Sequence, residues 1–157
     1  MSELYQPTLR VALASDHAGL PLKDGLKALL ELLKITATDL GTNGPASVDY
    51  PDFAHTLAKG VAEKRFDAGI LVCGTGIGMS MAANRHPEIR AALCTDPYCA
   101  RMTRLHNDAN VLCLGARVIG PGMAEEIVTA FFTTKFEGGR HAGRVAKLNA
   151  GVGHQGS

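Results

Sequence analysis

The sequence has little of what marks several classes of protein. It contains no run of lysine and arginine and its formal net charge is +1, so we expect neither nucleic acid nor an anionic membrane as a partner. No apolar stretch is long enough to cross a bilayer, and the first ten residues lack the apolar centre of a signal peptide. These absences favour a cytoplasmic protein.

Cysteine and histidine are present without the spacings that bind metal ions. The four cysteines form no CxxC pair and the six histidines form no HExxH motif, so neither a disulfide framework nor a zinc site is predicted. We therefore expect reduced thiols and no metal ion.

What the sequence does have is a regular alternation of apolar runs and helical patterns. Its 157 residues are 46% hydrophobic and 20% charged, which suits one globular domain. Buried strands are predicted at 9–15, 35–41, 68–73, 89–95 and 110–115, and later helices at 97–108, 121–136 and 138–148. The pattern predicts a three-layer αβα, Rossmann-like fold with a five-stranded parallel sheet. We assign one domain to 1–148 and a flexible tail to 149–157.

Reactive side chains follow four of these strands. They are Asp16 and His17 after the first, Cys73 to Gly78 after the third, Asp96 after the fourth and Arg117 after the fifth. Because the carboxyl ends of parallel strands meet at one edge of the sheet, we expect the ligand site there.

The glycine turn after Cys73 admits three interpretations: a tight turn with no ligand, an anion cradle, or a dinucleotide site. The GxGxxG motif of dinucleotide sites is incomplete, because its third glycine would fall on Met79 or Met81. Asp96, however, stands where a ribose-binding acid could be. Glycines let the backbone approach an oxygen-rich ligand, so we favour the anion cradle. Cys73 is either a small buried core residue or a thiolate stabilised by the neighbouring amides.

Three further features have both a structural and a functional interpretation. Asp16 could cap the following helix, and His17 could be an ordinary surface residue. Arg140 and Arg144 lie four residues apart on one helical face, which is either solvated or a two-armed clamp for a phosphate.

Taken together, these residues resemble the ribose-5-phosphate isomerase B family, which includes galactose-6-phosphate and allose-6-phosphate isomerases. The resemblance runs from about Leu9 to Lys147 and keeps the family's order and spacing. It rests on SDHAG, DYP, CGTGIG, AAN, HNDANVL, GAR and EGGRHAGR.

The resemblance implies a metal-independent aldose–ketose isomerase without a cofactor, interconverting ribose 5-phosphate and ribulose 5-phosphate. Cys73 would move a proton between C1 and C2, and His106, assisted by Asp16, would open the sugar ring. The other implied substrate contacts are of three kinds: Thr75 and the amides of Gly74, Gly76, Ile77 and Gly78 on the enediolate oxygen; His17, Arg140, Arg144 and Arg117 around the phosphate; and Asn107 and Tyr50 on sugar hydroxyls.

The position of His106 predicts a homodimer. His106 ends a helix that runs antiparallel to the strands, so it lies at the opposite edge of the sheet from Cys73. If both act on one sugar, His106 and Asn107 come from a partner subunit, and each site is shared. The alternative is that His106 only caps its helix. Whether dimers pair into tetramers stays open.

Two rival functions stay open as well. One is an isomerase of a six-carbon or four-carbon sugar phosphate, which the loop at 42–48 and Tyr50 would decide. The other is a non-catalytic nucleotide-binding module that uses only the glycine turn.

Overall fold

The structure is a computed structural model that describes residues 8–152. Its strands are β1 (Arg10–Ser15), β2 (Thr36–Asp39), β3 (Ala68–Cys73), β4 (Ala91–Leu93) and β5 (Val111–Gly115). Its helices are α1 (Leu20–Leu32), α2 (Tyr50–Ala62), α3 (Ile77–Ala83), α4 (Pro97–Asn107), α5 (Pro121–Phe132) and α6 (Arg140–Ala150). None of the helices in this part of the chain is both long and apolar enough to cross a membrane.

The five strands form one parallel sheet in the order β2-β1-β3-β5-β4, which confirms the predicted fold class. One face packs against α1 and α5 through Leu26 and Ile127, and the other packs against α2 and α3 through Leu57 and Met79. The strand order reverses between β1 and β3, and the loops after these two strands diverge at that point. Such a reversal is where open α/β sheets bind ligands.

Burial on both faces explains why β1 and β3 are continuous apolar runs. Every residue of β3 is buried, and so is every residue of β1 after Arg10. Alternate residues serve opposite cores, so Val72 faces the α1 and α5 side whereas Cys73 faces the α2 and α3 side.

Several element ends differ from the predicted ones. The fourth strand covers 91–93 rather than 89–95, because it is a half-buried edge strand that pairs only with β5. Helix α5 stops at Phe132 rather than 136, where the hydroxyls of Thr133 and Thr134 donate back to the carbonyls of Thr129 and Ala130. Helix α6 runs two residues into the predicted tail, and residues 153–157 lie outside the described part.

Candidate active site

The sulfur of Cys73 faces the glycine turn that follows β3. Its Sγ lies 3.1 Å from the backbone nitrogen of Gly76, which donates a hydrogen bond to it. The residue is only 5% exposed, so little of it meets solvent. A thiolate in this position would be stabilised by a backbone N–H rather than by bulk water.

Glycine is required in this turn for steric reasons. Gly76 has a φ of +78°, and a Cβ there would lie 2.6 Å from Leu93 Cδ1 and 3.0 Å from the carbonyl oxygen of Leu114. A side chain at Gly78 would meet the ring of Tyr50 at 2.5 Å. The turn therefore packs closely on its neighbours, and Gly76 brings its backbone N–H beside Cys73.

Tyr50 and Arg117 flank this turn. Tyr50 opens α2 and its ring covers Gly78, as the same close approach shows. The backbone nitrogen of Arg117 donates to the carbonyl oxygen of Gly74 at 2.9 Å, and its guanidinium lies over Gly74. An aromatic hydroxyl and a positive charge thus lie at the margins of the turn.

Asp16 and His17 approach the turn from β1. The backbone nitrogen of Asp16 donates to the carbonyl oxygen of Val72, one residue before Cys73. Its Oδ1 accepts a hydrogen bond from the Gly19 nitrogen at 2.9 Å, which orders the turn leading into α1. Nδ1 of His17 accepts a hydrogen bond from the Val48 nitrogen at 3.2 Å. We call Asp16, His17, Tyr50, the 73–78 turn and Arg117 the carboxyl-edge group.

The remaining candidate residues lie at the other edge of the sheet. Helix α4 ends at Asn107, and the chain then enters β5 beside the start of β4, where the Asn110 nitrogen donates to the carbonyl oxygen of Arg90. A five-residue strand at about 3.3 Å per residue places this edge about 16 Å from the carboxyl edge. Within one protomer, the structure keeps His106 away from Cys73.

His106 is held by α6. Its ring stacks on that of His141 with centroids 4.3 Å apart and planes 18° apart. Arg140 and Arg144 lie on the same helix and are exposed. Desolvation, the nearby His106 ring and the Arg140 charge lower the pKa of His141, which favours its neutral form beside this positive cluster. We call His106, Asn107, Arg140 and Arg144 the amino-edge group.

The comparison with known proteins decides the family. A model described as Ribose/Galactose Isomerase matches residues 11–148, which is most of the chain. The chain belongs to the ribose/galactose isomerase family. It is therefore a sugar-phosphate isomerase, as the motifs in its sequence indicate.

Individual relatives span nearly the whole chain. Ribose-5-phosphate isomerase B of Escherichia coli is 43% identical, with 90% of this chain and 95% of the relative covered. D-erythrulose-4-phosphate isomerase of Pectobacterium atrosepticum is also 43% identical, over 89% of this chain and 93% of its own length. The structure of Clostridium thermocellum ribose-5-phosphate isomerase B matches with a TM-score of 0.88 at 47% identity, covering 90% of this chain and 96% of that one.

The other cysteines of the isomerase differ from Cys73 in their surroundings. Burial raises the pKa of the Cys113 thiol, and burial with the neighbouring Cys99 raises that of Cys94 to about 12. A hydrogen bond to Asp96 raises the pKa of the exposed Cys99. Raised values disfavour the thiolate, so these three thiols suit structural roles.

Asp96 caps α4 with its own side chain. Its Oδ1 accepts a hydrogen bond from the Cys99 nitrogen at 2.8 Å, and this bond lowers the pKa of the carboxyl. The cap occupies the carboxylate that a dinucleotide ribose would need, which weakens the dinucleotide interpretation.

One cluster in residues 8–152 offers ligand atoms to a metal ion. Ligand atoms of His106, Glu137 and His141 lie within 4.8 Å of one another. The two imidazole rings are stacked and almost parallel, however, so their in-plane lone pairs do not converge on one point. This arrangement suits ring stacking better than metal binding.

Two buried residues near the candidate groups escaped the sequence analysis. His141 stands next to Arg140 and shows no pattern of its own. Lys23 lies beside Leu22 on the buried side of α1, where its side chain is fully buried. The position of Lys23 next to the apolar stripe of α1 is the sequence signal that could have identified it.

Proposed function

We propose that this isomerase interconverts D-ribose 5-phosphate and D-ribulose 5-phosphate through an enediolate, with Cys73 as the base. The observation that carries the proposal is the hydrogen bond from the Gly76 N–H to the Cys73 sulfur. The sulfur therefore lies beside the backbone amides of the glycine turn. Isomerisation next to a carbonyl needs both a base and an oxyanion site.

The proton transfer is balanced within the substrate. In the open-chain aldose, the Cys73 thiolate removes the proton from C2 and the electron pair forms the enediolate. The same thiol returns that proton to C1, and the proton of the C2 hydroxyl passes to O1, which leaves the carbonyl at C2 and gives the ketose. Thr75 and the amides of the 73–78 turn hold the negative oxygen during the transfer, which requires no cofactor.

The ring-opening acid comes from a second copy of the chain. In one protomer His106 and Cys73 lie at opposite edges of the sheet, so a homodimer with shared sites brings them to one sugar. His106 protonates the ring oxygen with help from Asp16, and Asn107 joins Tyr50 on the sugar hydroxyls. The ring of His106 stacks on α6, so the same partner helix also brings Arg140 and Arg144 to the site. These two arginines face the phosphate opposite His17 and Arg117.

Exposed apolar side chains support a partner surface. Ile77 and Met81 lie four residues apart on α3 and are 46% and 67% exposed, and Tyr98 at the start of α4 is 62% exposed. Large apolar side chains near a functional edge are typical of a surface that another chain covers.

A panel of aldose phosphates tests the substrate. We expect the highest kcat/KM with ribose 5-phosphate when it is compared with allose 6-phosphate, galactose 6-phosphate and a tetrose phosphate. The relative named D-erythrulose-4-phosphate isomerase makes the tetrose phosphate the leading alternative. Higher kcat/KM for that sugar would replace our substrate, and nucleotide binding without any isomerisation would replace the enzyme by a binding module.

Replacement of the sulfur tests the base. Cys73→Ala should lower kcat about 10²- to 10⁴-fold, the usual contribution of general-base catalysis. Cys99→Ala removes an exposed thiol away from the turn and should keep wild-type kcat. A Cys73→Ala enzyme that retains most of its turnover removes Cys73 from the mechanism.

A further inference from the structure

A fully buried lysine lies beneath the carboxyl-edge group. The Lys23 side chain is 0% exposed, and its Nζ donates to Asp39 Oδ1 at 2.7 Å and to the carbonyl oxygen of Thr42 at 2.6 Å. An ammonium group is costly to bury even when it is paired. A position that keeps one therefore invites a functional explanation.

The carboxylate beside it is shared by two lysines. Lys27 Nζ binds the other oxygen of Asp39 at 2.7 Å, and the Gly41 nitrogen donates to Oδ1 at 2.8 Å. Burial acts to raise the pKa of Asp39, but the hydrogen bonds from Lys23, Lys27 and Gly41 outweigh it and hold that pKa below its usual value. Asp39 therefore keeps partners without Lys23, whereas the Thr42 carbonyl loses the side-chain donor that Lys23 supplies.

Thr42 lies in the loop that leads from β2 to α2. The loop covers 41–48, between β2 and α2. Its first residues pair with the end of β1, since the Ser15 nitrogen donates to Gly41 O at 2.7 Å and the Thr42 nitrogen donates to Ser15 O at 2.8 Å. Its last residue, Val48, donates its N–H to Nδ1 of His17. One loop thus connects the buried ammonium to a residue of the carboxyl-edge group.

The bond from Val48 determines the tautomer of His17. Since Nδ1 accepts a hydrogen bond, the proton of the neutral ring must sit on Nε2. Nε2–H is then a donor on the side of the ring away from the loop. A phosphate oxygen requires such a donor.

We propose that Lys23 is a positioning residue for substrate binding: its ammonium anchors the 41–48 loop, and through Val48 the loop keeps His17 in the Nε2–H form. This inference rests on the proposed function only in taking His17 as a phosphate contact. Lys23 itself does not touch the sugar phosphate. The buried charge thereby supplies rigidity to the loop that holds His17.

Lys23→Met tests the anchor, because methionine has a similar length and carries no charge. We expect KM for ribose 5-phosphate to rise about tenfold with kcat within about threefold, the pattern of lost ground-state binding. Hydrogen exchange at the Val48 amide should accelerate about tenfold without substrate. The ¹⁵N signals of labelled His17 should shift from the Nε2–H tautomer towards a mixture.

Lys27→Met is the matched control. It removes the other lysine that pairs with Asp39, a lysine whose side chain is 44% exposed, and leaves the contact between Lys23 and Thr42 in place. It should keep the wild-type KM, Val48 exchange and His17 signals. Should Lys23→Met fail to fold, Lys23→Leu provides the same comparison with a shorter side chain that carries no donor.

Two replacements of Val48 test the other end of the loop. Val48→Pro deletes the N–H that binds His17 and should reproduce the KM increase, whereas Val48→Ala keeps the N–H and should not. Folded Lys23 variants with wild-type KM and an unchanged His17 tautomer overturn the proposal. The exchange and tautomer measurements need no turnover, so they decide the role of Lys23 even if the substrate is another sugar phosphate.

Discussion

The glycine turn at the carboxyl edge of the sheet and the loops at the amino edge are stabilised by different means. In the turn, the backbone lies directly against neighbouring residues: Gly76 lies against Leu114, and Gly78 lies under Tyr50. At the amino edge, charged side chains make the connections. Arg10 pairs with Asp67 at 3.1 Å, and Arg104 pairs with Asp108 at 2.9 Å.

This difference teaches how to separate functional charges from structural ones. Asp108 accepts from Arg104 and also lies 3.5 Å from Arg90, so these charges hold the loop between α4 and β5. Arg140 and Arg144 are exposed on the same edge and belong to the group around His106. The amino edge therefore carries both kinds of charge, and only contacts distinguish them.

Mixing two inactive variants should produce the largest change in activity, because a mixed dimer combines an intact carboxyl edge from one chain with an intact amino edge from the other. Cys73→Ala and His106→Ala homodimers should each lose about 10²-fold or more of kcat. Equal amounts, dissociated and reassociated together, should regain about a quarter of wild-type activity, because half the dimers are mixed and each holds one intact site. Mass spectrometry verifies that mixed dimers have formed. If they have formed and no activity returns, the shared site is disproved.

Removal of the exposed arginines should have the next largest effect. The double variant Arg140→Ala/Arg144→Ala should raise KM about 100-fold with little change in kcat, since hydrogen bonds to a charged phosphate are worth about 1.5–3 kcal/mol each. Arg65→Ala removes an arginine that pairs with Glu63 on the surface and serves as the control. Equal KM values for the two variants would assign Arg140 and Arg144 to a solvated face.

A methyl group in the glycine turn should reduce the free energy of unfolding. Gly76→Ala forces a side chain into a positive φ and against Leu93 and Leu114, so we expect about 2 kcal/mol less free energy of unfolding in urea titrations. Gly25→Ala lies in the middle of α1 with no atom within 4 Å of the new Cβ, and helix propensity predicts a gain of about 0.5–1 kcal/mol. Similar changes in both variants would contradict the close packing of the turn.

The smallest effect concerns an exposed ion pair at the amino edge. Hydrogen bonds and charge from Arg10 lower the pKa of Asp67, so this pair stabilises the fold above the ordinary carboxyl value near 3.8 and stops doing so as the pH falls through the lowered pKa. Asp67→Asn should cost under about 1 kcal/mol at pH 7, because both side chains are partly solvated. Urea titrations at pH 7 and pH 2.5 should show this difference shrinking, and a constant difference would assign it to packing.

Strands and the glycine turn could be predicted because their signals are local. The run at 68–73 is apolar throughout and ends at a glycine cluster, and the structure has β3 over the same residues. Strand β4 is shorter than the apolar run that predicts it, because Ile89 and Cys94 on either side of it are buried without being part of the strand. The homodimer remains a prediction that follows from topology and awaits the mixing experiment.

The candidate site residues could be proposed from the sequence, but the contacts that support them could not. Asp16, Cys73 and Arg117 were identified because each follows a strand. Lys23 and Val48 were not, because their contacts join positions 16 to 31 residues apart along the chain. No periodic pattern reports such a contact.

From the amino acids alone came the order of strands and helices, and with it the edge on which each reactive side chain lies, because a parallel strand must carry its following loop to the carboxyl end. Tertiary structure decided the strand order, the direction of the Cys73 sulfur, the stacking of His106 on His141 and the burial of Lys23. Those features depend on atoms brought together from distant parts of the chain, and their energies arise only when the layers are packed.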